Sequence, residues 1–312
     1  MRVLVTGSGG FAARWLILDL EAYGHEVAAA TAHDRLDVTN RSQVRAAVAE
    51  FRPDAIAHLA AVSSAAKVAQ DPGRALQTAV GGTLNVIEAL AAARVAGRPD
   101  PVLLVTGSSE VYGIPASVEL PLAESSPPRP ETPYALTKAA QEGVALSAGA
   151  QQRIRVIVTR SFNHTGPGQS PAFAIPAFAQ RIVAAAAKGA DEVPVGNLDV
   201  RRDLSDVRDI VAAYRRLLEV AVDGGTPRAG IVVNVASGRS VQLRQVFARL
   251  LALAEVALTP VTDPALVRQG EVPDNRADIS RLQRLTGWHP AIDLDTTLSD
   301  VLQAIREDGI PA

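Results

Sequence analysis

Short apolar runs alternate with longer segments of helical periodicity along the first half of the chain. Each run is rich in Val, Ile or Leu and is followed by a turn of glycine or other small residues. Strands that are apolar throughout are typical of a parallel sheet covered on both faces. The runs predict these strands: Arg2 to Val5, Glu26 to Ala30, Ala55 to Leu59, Val102 to Val105, Arg155 to Thr159 and Ile231 to Val235.

The intervals between these runs predict helices. Ala12 to Tyr23 and Gly82 to Ala96 have helical spacing, and Gly24 and Gly97 directly follow them in the position where glycine commonly ends a helix. Strands alternating with helices predict an α/β fold, a doubly wound Rossmann parallel sheet.

The pattern changes after residue 165. The glycine-proline run 166–168 opens a looser region, and three prolines interrupt the segment before the last helices. We predict a dinucleotide-binding domain of residues 1–165, to which 205–250 return. Residues 166–204 and 251–312 are predicted to form a smaller α/β substrate-binding domain at the C-terminal end, over the carboxyl edge of the sheet, where doubly wound folds bind ligands.

The amino-acid composition excludes several classes of ligand and of catalytic group. The 31 basic and 33 acidic side chains nearly cancel, so we expect neither nucleic acid nor membrane as a partner. The chain has no cysteine, which excludes thiolate metal ligands, thiol nucleophiles and disulfides, and its five histidines are scattered. No apolar stretch reaches the ~18 residues of a membrane span. We therefore expect a cytoplasmic protein with a small-molecule ligand and no metal.

The glycine-rich segment Thr6 to Ala13 follows the first strand and opens the first helix, the context of a dinucleotide-binding turn. Gly7 permits the tight turn, Gly10 allows close approach of a pyrophosphate, and Phe11 begins the helix whose N-terminus attracts that charge. Ala13 stands where a third glycine is usual and still permits close packing. The segment predicts NAD(H) or NADP(H) as the cofactor.

The choice between these two cofactors stays open. Asp34 lies where an acid would hydrogen-bond an adenosine ribose, whereas Arg35 beside it could hold a 2′-phosphate. In the alternative interpretation, Asp34 caps a loop and Arg35 is a solvated charge.

Tyr134 and Lys138 lie four residues apart and therefore share one helix face. A nearby ammonium favours the phenolate, so we expect Lys138 to lower the pKa of Tyr134 from its usual value near 10. Tyr134 is thus a candidate acid or base. Just beyond the strand Val102 to Val105, the hydroxyl of Ser108 could hydrogen-bond a carbonyl oxygen while Tyr134 donates a proton. Taken alone, such a serine segment is more often a strand-to-loop transition with turn-forming hydroxyls.

Together these motifs resemble the extended short-chain dehydrogenase/reductases that act on nucleotide sugars. The segment Asp54 to Ala61 is similar to that family's fourth-strand motif, and Gly82 to Asn85 is similar to the helix that follows it. Ala79 departs from the family, which usually has Asn there. The resemblance implies that further residues line the cofactor: Asp37, Val38, Leu59, Ala60 and Ala61.

Three later segments, 160–169, 201–209 and 268–273, resemble motifs of the GDP-sugar branch of this family. The resemblance implies that Asn163 contacts the substrate diphosphate. Arginines meet diphosphates bidentately, and a carboxylate accepts hydrogen bonds from ribose hydroxyls or a guanine edge. The remaining candidate substrate residues are Ser109, Arg202, Arg268 and Glu271.

The resemblance implies reduction of the C4 keto group of a GDP-4-keto-6-deoxy-hexose. A 4,6-dehydratase or an epimerase remains the alternative, since Glu110 lies where a dehydratase has its acid/base. A module that binds NAD(P) without turnover is the second alternative. In similar enzymes the helices Gly82 to Ala96 and Tyr134 to Ala150 pair across a two-fold axis, so we expect a homodimer.

Overall fold

The computed structural model describes residues 1–29, 36–95, 101–267 and 270–307. In chain order the strands are β1 (Arg2–Thr6), β2 (Glu26–Ala29), β3 (Ala55–His58), β4 (Val102–Thr106), β5 (Arg155–Ser161), β6 (Asn163–Thr165), β7 (Glu192–Val195), β8 (Arg201–Asp206), β9 (Ile231–Val235), β10 (Ser240–Gln242), β11 (Thr259–Thr262) and β12 (Asp274–Asn275).

The helices are α1 (Phe11–Ala22), α2 (Arg41–Phe51), α3 (Ala65–Gln70), α4 (Pro72–Leu76), α5 (Gly82–Val95), α6 (Pro133–Gln151), α7 (Ala174–Ala187), α8 (Val207–Val222), α9 (Leu243–Ala254), α10 (Ser280–Thr286) and α11 (Leu294–Glu307). A π-helical turn, Gln77–Gly81, leads into α5. Shorter 3₁₀ turns span Ser109–Tyr112, Ser117–Glu119 and Pro264–Leu266. Among the described residues, no helix has the length and apolar character needed to cross a bilayer.

A six-stranded parallel sheet in the order β2-β1-β3-β4-β5-β9 forms the first layer. Every strand of this sheet is one that the apolar runs predict, and the observed ends differ from the predicted ends by at most two residues within the described part. The predicted α/β fold with a doubly wound sheet is confirmed.

Alternate residues of each strand of this sheet point to opposite helix layers. In β1, Val3 and Val5 pack in a cluster with α1, α8 and α10, whereas Leu4 packs with α2, α5 and α6. All three side chains are buried, which explains why the strand is apolar at successive positions. The helix layers on both faces also leave the carboxyl ends of the strands as the accessible edge for a ligand.

The later strands and helices form a second layer. Strands β10, β8 and β12 form a small sheet, with β6 beside β8, and β7 pairs with β11. Helices α7, α9 and α11 pack together in their own apolar cluster, where the rings of Phe178 and Phe247 meet edge to face at 5.3 Å. This apolar cluster is separate from the two clusters that cover the main sheet.

The packing differs from the predicted domain boundaries at two places. Helix α9 crosses the predicted boundary at residue 250, yet its buried residues on both sides of that boundary join the second cluster, because β10 pairs with β8 and directs the chain there. Conversely, α10 and Trp288 lie in the predicted second domain and pack on the first. The indole nitrogen of Trp288 donates to the carbonyl of Asp209 in α8 at 3.1 Å.

The carboxylate of Asp203 in β8 connects the second layer to the loop after β9. It accepts hydrogen bonds from the backbone N–H groups of Ser237, Gly238 and Ala277 and from the Ser237 hydroxyl. Burial raises the pKa of Asp203, and these hydrogen bonds oppose the rise by stabilising the charged form. The contact holds the second layer at the carboxyl edge of the main sheet.

Candidate active site

A cleft of about 1090 Å³ opens at the carboxyl ends of the main strands, between the two layers. It brings together every predicted site residue that the structure describes. These residues are Gly7, Gly10, Phe11, Asp37, Val38, Leu59, Ala60, Ala61, Ser108, Ser109, Glu110, Tyr134, Lys138, Asn163, Arg202 and Glu271. Asp34, Arg35 and Arg268 lie outside the described residues.

The glycine-rich turn forms one end of the cleft. Gly7 has a φ of +72°, and a Cβ there would lie 2.7 Å from the backbone nitrogen of Ala60, so only glycine fits without a shift. The N–H of Gly10 donates to the carbonyl of Gly7 at 2.8 Å, and α1 begins at the next residue. The turn therefore presents backbone and the positive end of a helix to the cleft, a fitting cradle for a dinucleotide pyrophosphate.

Phe11 extends this end of the cleft toward the second layer. Its ring lies parallel to that of His164, with 6.3 Å between the ring centroids. The backbone carbonyl of Phe162 is 3.0 Å from His164 Nδ1, and burial lowers the pKa of His164. A neutral imidazole thus continues the apolar wall that Phe11 begins.

Tyr134 and Lys138 project from the first turns of α6, as their spacing predicts. The helix begins at Pro133, so that both side chains lie on helical turns. Pro133 occupies the first helical position, and the Thr132 hydroxyl caps the helix by accepting from the N–H of Ala135. Lys138 is buried, and its Nζ donates to the carbonyl of Thr106 at 2.8 Å and to Gln141 Oε1 at 3.0 Å. Burial lowers the pKa of Lys138 to about 8.

The pKa of Tyr134 differs from the sequence-based expectation. Burial raises it well above its ordinary value, the nearby charge of Glu110 raises it further, and a hydrogen bond with the Ser108 hydroxyl only partly opposes these effects. Lys138 does not bring this pKa toward neutrality, because desolvation dominates and the ammonium donates toward Thr106 and Gln141. The Tyr134 hydroxyl is protonated at neutral pH and is suited to donate a proton.

The turn Ser109–Tyr112 places Ser108 and Glu110 beside Tyr134 at the end of β4. The Ser108 hydroxyl accepts from the N–H of Glu110 at 3.2 Å, which fixes the start of the turn. Ser108 is buried and Glu110 is exposed in the cleft. The hydroxyls of Ser108 and Tyr134 and the carboxylate of Glu110 therefore line the same part of the cleft.

Polar groups of the second layer form the far end of the cleft. The guanidinium of Arg202 donates to the backbone carbonyl of Val272 at 2.6 Å. The side-chain amide of Asn275 donates through Nδ2 to Oδ1 of Asn163 at 3.2 Å. Oε2 of Glu271 is buried and has no hydrogen-bond partner among the described residues. A buried carboxylate oxygen of this kind can accept a hydrogen bond from a ligand.

The cleft also contains residues that the sequence analysis did not select. The hydroxyls of Tyr214 in α8 and Ser161 in β5 lie 2.6 Å apart. Thr106 contributes its backbone carbonyl, a group that every residue has and that carries no sequence signal. Tyr214 lies shortly after the segment 201–209 but belongs to none of the recognised motifs, so only the fold shows that it reaches the cleft. Other residues of this kind include Arg74, Phe173 and Asn275.

Residues 3–236 match the NAD dependent epimerase/dehydratase family. The chain is 37% identical to GDP-6-deoxy-D-mannose reductase of Pseudomonas aeruginosa, over 98% of this chain and 99% of the relative. It is 28% identical to GDP-6-deoxy-D-talose 4-dehydrogenase of Aggregatibacter actinomycetemcomitans, over 92% of each chain. The solved structure of RMD from Pseudomonas aeruginosa in complex with NADPH superimposes with a TM-score of 0.87, at 34% identity and 99% coverage of both chains.

Substitution of Gly7 tests the close approach at the glycine turn. Gly7 and Gly24 both have positive φ, but a Cβ on Gly24 would meet nothing within 4 Å. We expect Gly24→Ala to lower the free energy of unfolding by about 1 kcal/mol, the cost of the left-handed backbone alone. Gly7→Ala should cost at least about 1 kcal/mol more, because the backbone at Ala60 must move. Urea unfolding followed by circular dichroism measures both, and equal losses would contradict the steric argument.

Proposed function

The chain belongs to the NAD dependent epimerase/dehydratase family, and from this premise we propose that it uses NAD(P)H to reduce the C4 keto group of a GDP-4-keto-6-deoxy-hexose. The product would be a GDP-6-deoxy-hexose of the rhamnose type. The observation that carries the proposal is the placement of Tyr134 and Lys138 on one helix face, in the same cleft as the glycine turn. The full-length similarity to a GDP-6-deoxy-D-mannose reductase supports the substrate class.

A nicotinamide cofactor fits the residues present. We assign Gly7 and Gly10 to its pyrophosphate, Asp37 and Val38 to its adenine end, and Lys138 to its ribose end. When bound in reduced form, the cofactor supplies a hydride to the carbonyl carbon of the substrate. Asp34 and Arg35 remain the sequence-based candidates for discrimination between NADH and NADPH.

Tyr134 and Ser108 act on the oxygen of the reacting carbonyl. The Tyr134 hydroxyl donates its proton to the C4 oxygen, so that the ketone takes up one hydride and one proton and becomes an alcohol. Ser108 donates a hydrogen bond to the same oxygen and stabilises the negative charge that develops there. The raised pKa of Tyr134 keeps the proton on the phenol until an acceptor arrives.

The second layer holds the nucleotide part of the substrate in this proposal. Asn163 and Arg202 contact the diphosphate, since amide and guanidinium groups donate hydrogen bonds to phosphate oxygens. Glu271 uses its unpartnered carboxylate oxygen to accept from a ribose hydroxyl or a guanine edge. Ser109, which is buried beside Ser108, contacts the hexose.

A 4,6-dehydratase is the second candidate, and Glu110 is the observation that favours it. This reaction needs an acid/base that removes the C5 proton and helps to expel the C6 hydroxyl. Glu110 lies in the cleft, and its charge acts on Tyr134. The same carboxylate has an effect in a reductase, since it raises the pKa of the proton donor, so its presence fits both reactions.

Separate incubation with two substrates distinguishes the two reactions. We expect the 4-keto-6-deoxy derivative of GDP-mannose to gain two hydrogens while NADPH or NADH is consumed. GDP-mannose itself should be unchanged. Product mass and cofactor absorbance report both outcomes. Loss of water from GDP-mannose would identify a dehydratase, and binding of cofactor without any turnover would identify a non-catalytic module.

Tyr134→Phe tests the proton donor. We expect kcat for the keto sugar to fall by about 10²- to 10⁴-fold, the usual contribution of general acid catalysis, while the Kd for NADPH stays within a few-fold. Tyr23→Phe is the matched control, because Tyr23 is exposed and does not line the cleft. Steady-state kinetics and fluorescence titration measure the two quantities, and an undiminished kcat in Tyr134→Phe would exclude this role.

A homodimer through α5 and α6 is part of the proposal. Leu84 on α5 and Leu136 on α6 are exposed, with 37% and 57% of their surfaces accessible, and both lie on the helices that would form the interface. We expect light scattering to give twice the chain mass of 32.7 kDa. Leu136→Glu should shift the mass toward the monomer, because a carboxylate there would be buried in the interface, whereas the monomer mass in the unaltered protein would contradict the dimer.

A further inference from the structure

A continuous path of buried hydrogen bonds joins Lys138 to the glycine turn. Gln141, which accepts from Lys138 Nζ, donates through Nε2 to the hydroxyl of Thr83 at 3.1 Å. The Thr83 hydroxyl lies 3.1 Å from His58 Nε2, and His58 Nδ1 lies 2.8 Å from the hydroxyl of Thr6. All five side chains are at most 4% exposed. The path runs through the core of the first domain, from α6 across α5 and β3 to the end of β1.

Each hydrogen bond on this path has one direction, set by the ammonium at one end and by the bond from Thr83 to the backbone of Ala79. Lys138 can only donate, so the carbonyl side of the Gln141 amide faces it and the NH₂ side faces Thr83. Thr83 gives its own proton to the carbonyl of Ala79 at 2.6 Å, so its oxygen accepts from both Gln141 and His58. Burial lowers the pKa of His58 to about 3, so the imidazole is neutral, carries its proton on Nε2 and accepts from Thr6 on Nδ1.

This directionality makes the Gln141 amide a rigid group. A flipped amide would place its NH₂ against the ammonium and its oxygen against Thr83, whose proton is already committed to Ala79. Thr83 and His58 therefore hold Gln141 in the one orientation that Lys138 needs. The far end of the path contacts the cradle, since the backbone N–H of Ala60 points to the Thr6 hydroxyl at 3.4 Å.

Gln141 supplies a side-chain hydrogen-bond acceptor to Lys138, which the alanine at position 79 cannot do. Ala79 is buried in the π-helical turn and offers a methyl group and a carbonyl that Thr83 already uses. Among the described residues, Gln141 is the only side chain that accepts a hydrogen bond from Lys138, and the other acceptor is the backbone of Thr106. An ammonium buried with a backbone carbonyl alone would lose much of its compensation for desolvation.

We propose that Gln141 is the positioning residue of this site, which keeps Lys138 charged and directed toward the cleft through the fixed path Gln141–Thr83–His58–Thr6. The use of that charge in reduction rests on the proposed function, whereas the effect of Gln141 on Lys138 does not. Of the titratable groups nearby, His58 on β3 is neutral, and Tyr134 on α6 is protonated at neutral pH. Glu110 contributes its charge from the turn after β4.

The lysine content of the chain allows a direct test. The sequence has only three lysines, Lys67, Lys138 and Lys188, so protein labelled with ¹³Cε-lysine gives three signals in NMR. Lys67→Arg and Lys188→Arg assign the signals, and a pH titration then gives the pKa of Lys138 in the intact chain. We expect the unaltered protein to titrate near 8, the value that burial produces.

Gln141→Met removes the acceptor and keeps the side-chain volume. We expect the pKa of Lys138 to fall by about one unit, because a hydrogen bond that favours the charged form is lost. Gln141→Glu should raise the pKa, because a carboxylate stabilises the ammonium. The two opposite shifts cannot both come from general damage to the fold. If Gln141→Met does not fold, the upward shift in Gln141→Glu still tests the contact.

Thr137→Val is the matched control. Thr137 is buried next to Lys138 on α6, and its hydroxyl donates to the carbonyl of Pro133 at 2.8 Å, away from the path. The control should leave the pKa of Lys138 unchanged. The rate of keto-sugar reduction should fall as the pH rises through the pKa of Lys138, so the midpoint of this fall should shift between variants as that pKa shifts. Titration shifts without turnover in any variant would overturn the proposed function alone, and an unchanged pKa in both Gln141 variants would overturn the role of Gln141.

Discussion

The positions of α6 and of the cleft residues that it carries depend on the burial of one ammonium group, that of Lys138. Removing the charge of Lys138 from water costs several kcal/mol unless hydrogen bonds replace the lost solvation. The carbonyl of Thr106 at the end of β4 and the amide of Gln141 supply two of these bonds, so the position of α6 on the sheet is coupled to the position of the charge. Because Tyr134 is one turn earlier on the same helix, it is placed in the cleft by the same constraint.

Burial shifts both members of the Tyr134 and Lys138 pair toward their neutral forms. The pKa of Lys138 falls to about 8 and that of Tyr134 rises, since each environment penalises charge. At neutral pH the lysine is still largely charged and the tyrosine still holds its proton. This combination suits a group that delivers a proton to a carbonyl oxygen beside a cation, and it suits a proton acceptor less well.

The cleft depends on two separately packed layers. The main sheet provides the glycine turn, the hydroxyl of Ser108 and the helix with Tyr134, whereas the small sheet provides Arg202 and part of the far wall. Buried polar contacts such as that of Asp203 with the loop after β9 hold the layers together. A substrate that spans the cleft must therefore contact both layers, as a sugar joined to a nucleotide diphosphate would.

The strands of the main sheet are predictable from the amino-acid pattern, because each of them is buried on both faces and so is apolar at consecutive positions. The same pattern also determined the glycine turn and the Tyr134 and Lys138 face, because a positive φ and a four-residue helical spacing are local requirements. The packing of α9 in the second layer has no such local pattern, since it follows from the pairing of β10 with the distant strand β8 in the folded chain. The tertiary structure alone decided the pKa of Tyr134 and the path from Gln141 to Thr6, because burial and hydrogen bonds between residues distant in the chain have no local signature.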